Sequence, residues 1–435
     1  MNVGYTTKHH LCLGCGLCED VCPANSISIG IEYGEYRPKI AEDSCLGDKC
    51  SRCSKICPGL GVSLKKYSRN KSEVSELKEN KYIGQYVNLY TGHSTDEDIR
   101  YHSASGGLVT GLLIYLIEKK IIAGAVVTRF SSKDNITPET FIARTKEELI
   151  SARSSKYCPV SMQGIRKQIR EAEGKYIIVG LPCHLHGFRK IEEIDKKFRE
   201  HIFAYWGIYC SSGRTFRLTD YVFSRRNLPK EAVSYFAYRD EGCLGSMVVK
   251  YSSDTNNVIG GDSSQDSPFA LKNVYKESFG SYYCTLRSFF IPRRCQFCID
   301  HFAELSDMSF GDLHIKPYSE DKIGTSSIVA RTEEMNNLLM KAQIDGVIKI
   351  SDLPIDVLNA SQQMAKVKKH KYGSFVKLLH KVGMVVPEYD VEYSNSSLVK
   401  TVIAYISICS QRFVGRHQHL WWIVDILKQK YGKTQ

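Results

Sequence analysis

Eight cysteines between residues 12 and 57 restrict this chain more than any other feature. The first run reads Cys12-Leu-Gly-Cys15-Gly-Leu-Cys18-Glu-Asp-Val-Cys22-Pro23. The second reads Cys45-Leu-Gly-Asp-Lys-Cys50-Ser-Arg-Cys53-Ser-Lys-Ile-Cys57-Pro58. Each half is three cysteines, three spacers, then Cys-Pro. A cubane needs thiolates at the corners of a tetrahedron, and two-residue gaps let neighbouring cysteines of one tight loop meet neighbouring irons.

This is the spacing of a two-cluster ferredoxin carrying 4Fe-4S centres, in which the last cysteine of each motif ligates the other cluster. One cluster then takes Cys12, Cys15, Cys18 and Cys57, and the other Cys22, Cys45, Cys50 and Cys53. Pro23 and Pro58 turn the chain back. The second half departs from the usual form, because four residues separate Cys45 from Cys50. Structural zinc, which wants two distant Cys-x-x-Cys pairs, and disulfides are the competing readings. Iron–sulfur is preferred to both.

A chain of 435 residues implies two or three domains. Met1 to His10 lack the apolar stretch of a signal peptide, and no run of about 20 apolar residues spans a membrane. Sixteen cysteines in such a chain point to a reducing compartment and metal use, hence the cytoplasm. The formal net charge of +12 would be partly offset by bound clusters and a diphosphate. Basic runs occur at Lys65-Lys66 and Lys366 to Lys371. They accompany no nucleic-acid module and read first as a solvated face, with docking of an acidic partner or a membrane surface as the alternative.

Residues 1–65 form the ferredoxin-type domain, with strands at Ser26–Ile31 and Tyr36–Ile40, and the charged stretch 66–85 reads as a linker. Next, Ser103-Ala104-Ser105-Gly106-Gly107 leads into an apolar helix. Small residues at a helix N-terminus suit phosphate, although plain capping explains the motif as well. Strand, loop and helix then alternate through Ile121–Phe130, Lys175–Leu181 and Ile202–Tyr209, which predicts a mainly parallel sheet with ligands beyond its strand ends. Cys183 and Cys210 follow two of those ends. With Cys295 and Cys298 they supply the four thiolates of a third cubane, and Cys158 is the reserve ligand. Cys243, Cys284 and Cys409 read as core. Residues 233–290 read as a β-rich insertion, 331–390 as a helical extension, and 391–435 as a basic, apolar tail. The tail packs on the body or contacts a membrane or partner.

Taken in order, Ser103-Ala104-Ser105-Gly106-Gly107, Ser155-Lys156-Tyr157, Gly180-Leu181-Pro182-Cys183 and Arg294-Cys295-x-x-Cys298…Ser306-Asp307…Gly311-Asp312 resemble the coenzyme F420 hydrogenase/dehydrogenase beta subunit family, in the form with an N-terminal two-cluster ferredoxin. The resemblance covers about residues 8 to 330. It implies an α+β or α/β architecture, with a dicluster ferredoxin-like domain, an α/β flavoprotein domain over 86–330 and a helical C-terminal tail. It also implies FAD held by Ser103, Ala104, Ser105, Gly106 and Gly107, with Ser155, Lys156, Gly180 and Pro182 nearby, and a third cluster on Cys183, Cys210, Cys295 and Cys298. Lys156 would stabilise the reduced flavin, against the alternative of a surface lysine. Leu181, His184 and the Cys210-Ser211-Ser212-Gly213 turn depart from the family's pattern.

The expected activity is an iron–sulfur flavoprotein oxidoreductase passing electrons between a hydride carrier, reduced coenzyme F420 or similar, and 4Fe-4S clusters. A flavin must stand between them because a hydride moves two electrons and a cubane one. Two other readings stand beside it. One is an electron-entry subunit serving a redox partner protein. The other is a reductase acting on a glycan or lipid-linked precursor at the inner face of the membrane.

Overall fold

The computed structural model describes residues 1–68, 77–252, 272–391, 393 and 396–432. The N-terminal unit is built on an antiparallel hairpin, β1 (Ile27–Glu32) and β2 (Glu35–Ile40), followed by the two-residue strand β3 (Gly61–Val62). A second hairpin, β4 (Lys78–Asn80) and β5 (Gly84–Tyr86), occupies the end of the expected linker. Residues 69–76 of that linker lie outside the described residues.

The body is an eight-stranded sheet. Its strands are β6 (Asn88–Ser94), β7 (Gly124–Phe130), β8 (Pro138–Ala143), β9 (Tyr176–Gly180) and β10 (Ile202–Ile208). After an antiparallel insertion of β11 (Val233–Asp240), β12 (Ser246–Ser252) and β13 (Lys272–Ser278), the chain returns for β14 (Met308–Asp312), β15 (Ser326–Ala330) and β16 (Ile348–Asp352). The order across the sheet is β16-β6-β15-β14-β10-β9-β7-β8. The expected parallel pairing holds for the central strands β14, β10, β9 and β7. The flanks are antiparallel: β8 folds back on β7, while β15, β6 and β16 extend the other edge. The 331–390 segment is therefore not purely helical, because Ile-Lys-Ile-Ser-Asp alternates as an edge strand must.

Period-two alternation divides the sheet residues between two cores. Ala125, Val127, Ile177, Ala204 and Trp206 face one layer with the helix α1 (Leu108–Glu118). Val126, Tyr176, Ile178 and Tyr205 face the other, which contains Leu185 and Phe188 of the helix α2 (Pro182–Ile194). That second core also holds Cys15, Leu17, Cys18, Cys53 and Cys57. The ferredoxin unit is thus packed onto one face of the sheet rather than tethered beside it. Contact is close: a Cβ on Gly187 of α2 would stand 2.4 Å from Leu17 Cδ1.

The C-terminal region returns to the same junction. The strand β17 (Glu388–Tyr389) pairs in parallel with β3. Asp390 accepts hydrogen bonds from Ser63 Oγ (2.5 Å), Leu64 N (2.6 Å) and Lys65 N (2.9 Å). Two further helices follow, α3 (Leu398–Arg416) and α4 (Trp421–Gly432). Trp421 is buried against Tyr221 and Phe290, and Arg412 Nε donates to the Ile291 carbonyl at 2.8 Å, so this pair docks on the body.

Candidate functional site

A cavity of about 700 Å³ opens beyond the carboxyl ends of the central strands, the place where open α/β sheets bind ligands. Gly180 at the end of β9 and Leu181 after it, Tyr209 and Cys210 after β10, and Gly311 and Asp312 of β14 form its floor. The start of α1 and the 103–107 loop form one side. Arg239, Leu244, Phe279 and Tyr283, from the insertion and the segment after it, form another. Ser103, Ala104, Ser105, Gly107, Ser155, Lys156 and Gly180 line this one cavity.

Gly106 and Pro182 are not in the lining. Gly106 is pressed against the sheet, where a Cβ would meet the Gly92 carbonyl oxygen at 2.6 Å and Ser326 N at 2.9 Å. Its own N–H donates to Ser326 Oγ at 2.9 Å. Pro182 opens α2, where its missing N–H costs nothing. The Ser103 hydroxyl donates to the Ile99 carbonyl at 2.6 Å, and Ser105 Oγ to Thr325 O at 3.1 Å. These hydroxyls shape the loop, and Gly107, at φ +71°, turns it into α1.

Lys156 directs its ammonium at the carbonyls of Ala152 (2.8 Å), Arg153 (2.6 Å) and Ser154 (3.1 Å). Burial pushes its pKa down to about 7, against the pull of the Cys158 sulfur. The anchor of the cavity, missed in the sequence because nothing marks it there, is Arg239. Its guanidinium donates to Asp312 Oδ2 at 2.6 Å, to Leu244 O at 2.7 Å and to the carbonyl of Ala104. Tyr157 lies 4.3 Å from the Tyr283 ring and 5.4 Å from Phe279, giving an aromatic wall.

A FAD fits these surroundings by three measures. The volume is within the usual range for a cofactor site, about 300–1,000 Å³. Arg153, Lys156, Arg214, Arg239 and Arg287 line it against a single carboxylate, Asp312, which suits a pyrophosphate dianion. The aromatic wall suits a flat ring.

Behind the floor, Cys183, Cys210, Cys295 and Cys298 come together. Burial, then the charges of Cys210, Cys295, Cys298 and Cys15, raise the Cys183 thiol well above its usual range. Cys210 is pushed up to about 12 by burial and by Cys295 and Cys298, while Lys368 opposes the rise. Four half-buried sulfurs from separate segments suit a multivalent cation or cluster that holds them as thiolates. The reserve ligand Cys158 instead adjoins Tyr238 and Lys156. Cys284, expected in the core, is exposed, and Cys243 and Cys409 are half-buried.

In the ferredoxin unit, Cys12, Cys15, Cys18 and Cys57 line one small cavity. Cys53 has Cys50 and Cys22 among its charged neighbours, and Asn2 Nδ2 donates to Cys45 Sγ at 3.6 Å. Gly14 and Ser26 turn backbone N–H groups toward Cys12 Sγ (3.4 Å) and Cys22 Sγ (3.3 Å). Among the described residues, no group of three or more His, Cys, Asp or Glu converges to hold a single metal ion. A cubane instead keeps its ligating sulfurs apart on separate irons.

Residues 89–166 match the N-terminal segment of the family described as coenzyme F420 hydrogenase/dehydrogenase, beta subunit, and residues 173–355 match its C-terminal segment. The chain belongs to that family. Residues 11–60 match a 4Fe-4S dicluster domain, so this family member carries iron–sulfur clusters at its N-terminal unit. A coenzyme F420 hydrogenase subunit beta of Methanothermobacter thermautotrophicus is 27% identical over 314 residues, 70% of this chain and 99% of that one. A coenzyme F420-dependent sulfite reductase of Methanocaldococcus jannaschii is 25% identical over 343 residues, 79% of this chain and 48% of that one. A chain of the solved F420-reducing NiFe hydrogenase complex from Methanosarcina barkeri shares the fold. Its TM-score is 0.52 at 22% identity, over 71% of this chain and 98% of that one.

Proposed function

We propose that this chain is a flavin- and iron–sulfur-dependent oxidoreductase subunit that exchanges electrons with a deazaflavin-type hydride carrier, coenzyme F420 or a close relative. The observation that carries the reading is the position of the four-cysteine nest. Cys210 belongs to the cavity lining, and Cys183 has Cys15 of the ferredoxin unit among its charged neighbours. The nest therefore lies between the cavity and the Cys15 end of the ferredoxin unit. When bound, FAD would supply the conversion between hydride and single-electron transfer. The chain's own residues do the rest. Arg153, Arg214 and Arg239 hold the diphosphate, the Tyr157–Tyr283 wall orients the ring, and Lys156 clamps its loop. Cys183, Cys210, Cys295 and Cys298 hold a third 4Fe-4S cluster. Residues 41–44 and 46–49 are exposed around a half-buried Cys45, so this second ferredoxin site is the surface that would meet a redox partner protein.

Anaerobic purification with iron, sulfide and flavin counted on one sample tests this. About twelve irons and one FAD support the reading, and about eight irons without flavin refute it.

We place the protein in the cytoplasm, in peripheral contact with an anionic membrane. Val399, Ile403, Ile406 and Phe413 form one helical stripe on α3 and are 58–66% exposed. From Leu398 onward the sequence has one carboxylate, Asp425, against Lys400, Lys428, Lys430 and Lys433, besides Arg412 and Arg416, which are engaged with the body. No described helix is long and apolar enough to cross a membrane, so this surface would lie on the bilayer. Flotation with phosphatidylserine vesicles should be lost in Ile403→Asp/Phe413→Asp. Equal flotation of both proteins removes the membrane reading.

A further inference from the structure

The run Lys366 to Lys371 reads in sequence as a solvated basic face, yet Lys368 is 1% exposed. It opens a π-helical turn, Lys368–Tyr372, a distortion frequent at functional positions. Its ammonium donates to the Asp300 carbonyl oxygen at 2.6 Å and to Cys298 Sγ at 3.5 Å.

A buried ammonium is costly unless a negative partner faces it. Among the described residues no carboxylate forms an ion pair with Lys368. The Asp300 carboxylate is taken up by His186 Nε2 at 2.9 Å and by the Glu304 N–H. The neighbouring Lys369 has its own partner, Glu304, at 2.5 Å. The side chain that its ammonium touches is the Cys298 sulfur, and the groups whose charge acts on it are Cys298, Cys210, Asp300 and Cys295. The residue also lies beyond the segments that match the family, which end at 355. The cation reaches the nest from the segment that follows that match.

Building on the third-cluster reading above, we propose that Lys368 is the positioning residue that sets the reduction potential of that cluster. One-electron reduction adds a negative charge to the cluster. A fixed cation with an N–H on a ligating sulfur stabilises the reduced form more than the oxidised one, and so raises the potential. The cluster next to the cavity is thereby made a better electron acceptor. The same extension goes on to strap the ferredoxin unit through β17 and Asp390, so the tuning cation and the inter-cluster junction depend on one segment.

The test is a redox titration followed by electron paramagnetic resonance on the full chain, purified anaerobically with iron counted. Lys368→Met should move the midpoint of one cluster to more negative potential and leave the other two in place, and Lys368→Arg should stay near the parent value. Loss of about four irons in Lys368→Met with retention in Lys368→Arg overturns the tuning role, because the charge is then needed to hold the cluster rather than to set its potential. Met and Arg variants that behave alike overturn it. A parent protein with about eight irons refutes the third cluster itself, a separate failure.

Discussion

Arg239→Met tests whether the cavity is held open from the insertion. The Arg239 side chain is 4% exposed and its partner Asp312 15%, so solvent screens the pair little. Methionine keeps the apolar stem but removes the 2.6 Å ion pair and the donors to Leu244 O and Ala104 O. Breaking a buried pair costs about 3–5 kcal/mol. Asp312 lines the cavity, where water can rehydrate it, so the lower end, about 3 kcal/mol, is expected. Larger domains shift by roughly 1–2 °C per kcal/mol, which gives a fall of about 3–6 °C in Tm. Flavin retention after desalting should fall as well, because the Ala104 carbonyl loses its tether. Melting of the holoprotein by circular dichroism, with flavin absorbance on the same sample, measures both. A Tm within about 1 °C of the parent and full flavin would refute the argument.

Three further outcomes are expected. Gly106→Ala forces a methyl against two backbone atoms and should cost about 1–3 kcal/mol by overpacking, read as lowered Tm; an unchanged melt means the 103–107 loop is not seated on the sheet. Lys156 has a folded pKa of about 7, below the unfolded value of about 10.4. The unfolded chain binds more protons between those values, so stability should rise with pH across that window and Lys156→Met should flatten the slope. Thermal melts at stepped pH decide it, and a parent profile that is already flat shows that the three carbonyls outweigh burial. Cys210→Ser should lose about four irons while Cys158→Ser keeps all of them, by iron assay; the reverse result exchanges their roles.

Much of the fold was legible in short-range pattern. The hairpin β1–β2 and the strands β7, β9 and β10 lie where β-branched and apolar runs predicted them, because local alternation decides such elements. The edge strand β16 was missed, being short and half polar. The 103–107 loop was readable as a loop, but Gly106 serves close packing, which depends on a strand more than two hundred residues later in the chain. Arg239 carried no signal: an isolated arginine in a β-rich stretch says nothing about a carboxylate on β14. Lys368 was misread for a similar reason, since a run of lysines looks solvated whichever one the backbone turns inward.

The amino-acid sequence by itself determined the cofactor chemistry of the N-terminal unit, because the spacing of ligands within one tight loop is a local property. It also determined the alternation of strand and helix and, through ordered motifs, the family. Tertiary structure alone decided which distant residues meet. The buried Lys368 comes from the extension and the ferredoxin unit shares a core with the sheet, neither of which the sequence signalled, whereas the grouping of Cys183 in the first turn of α2 with Cys210, Cys295 and Cys298 was inferable from the order of strands and loops. Charge, burial and packing act through space, and chain order does not encode those distances.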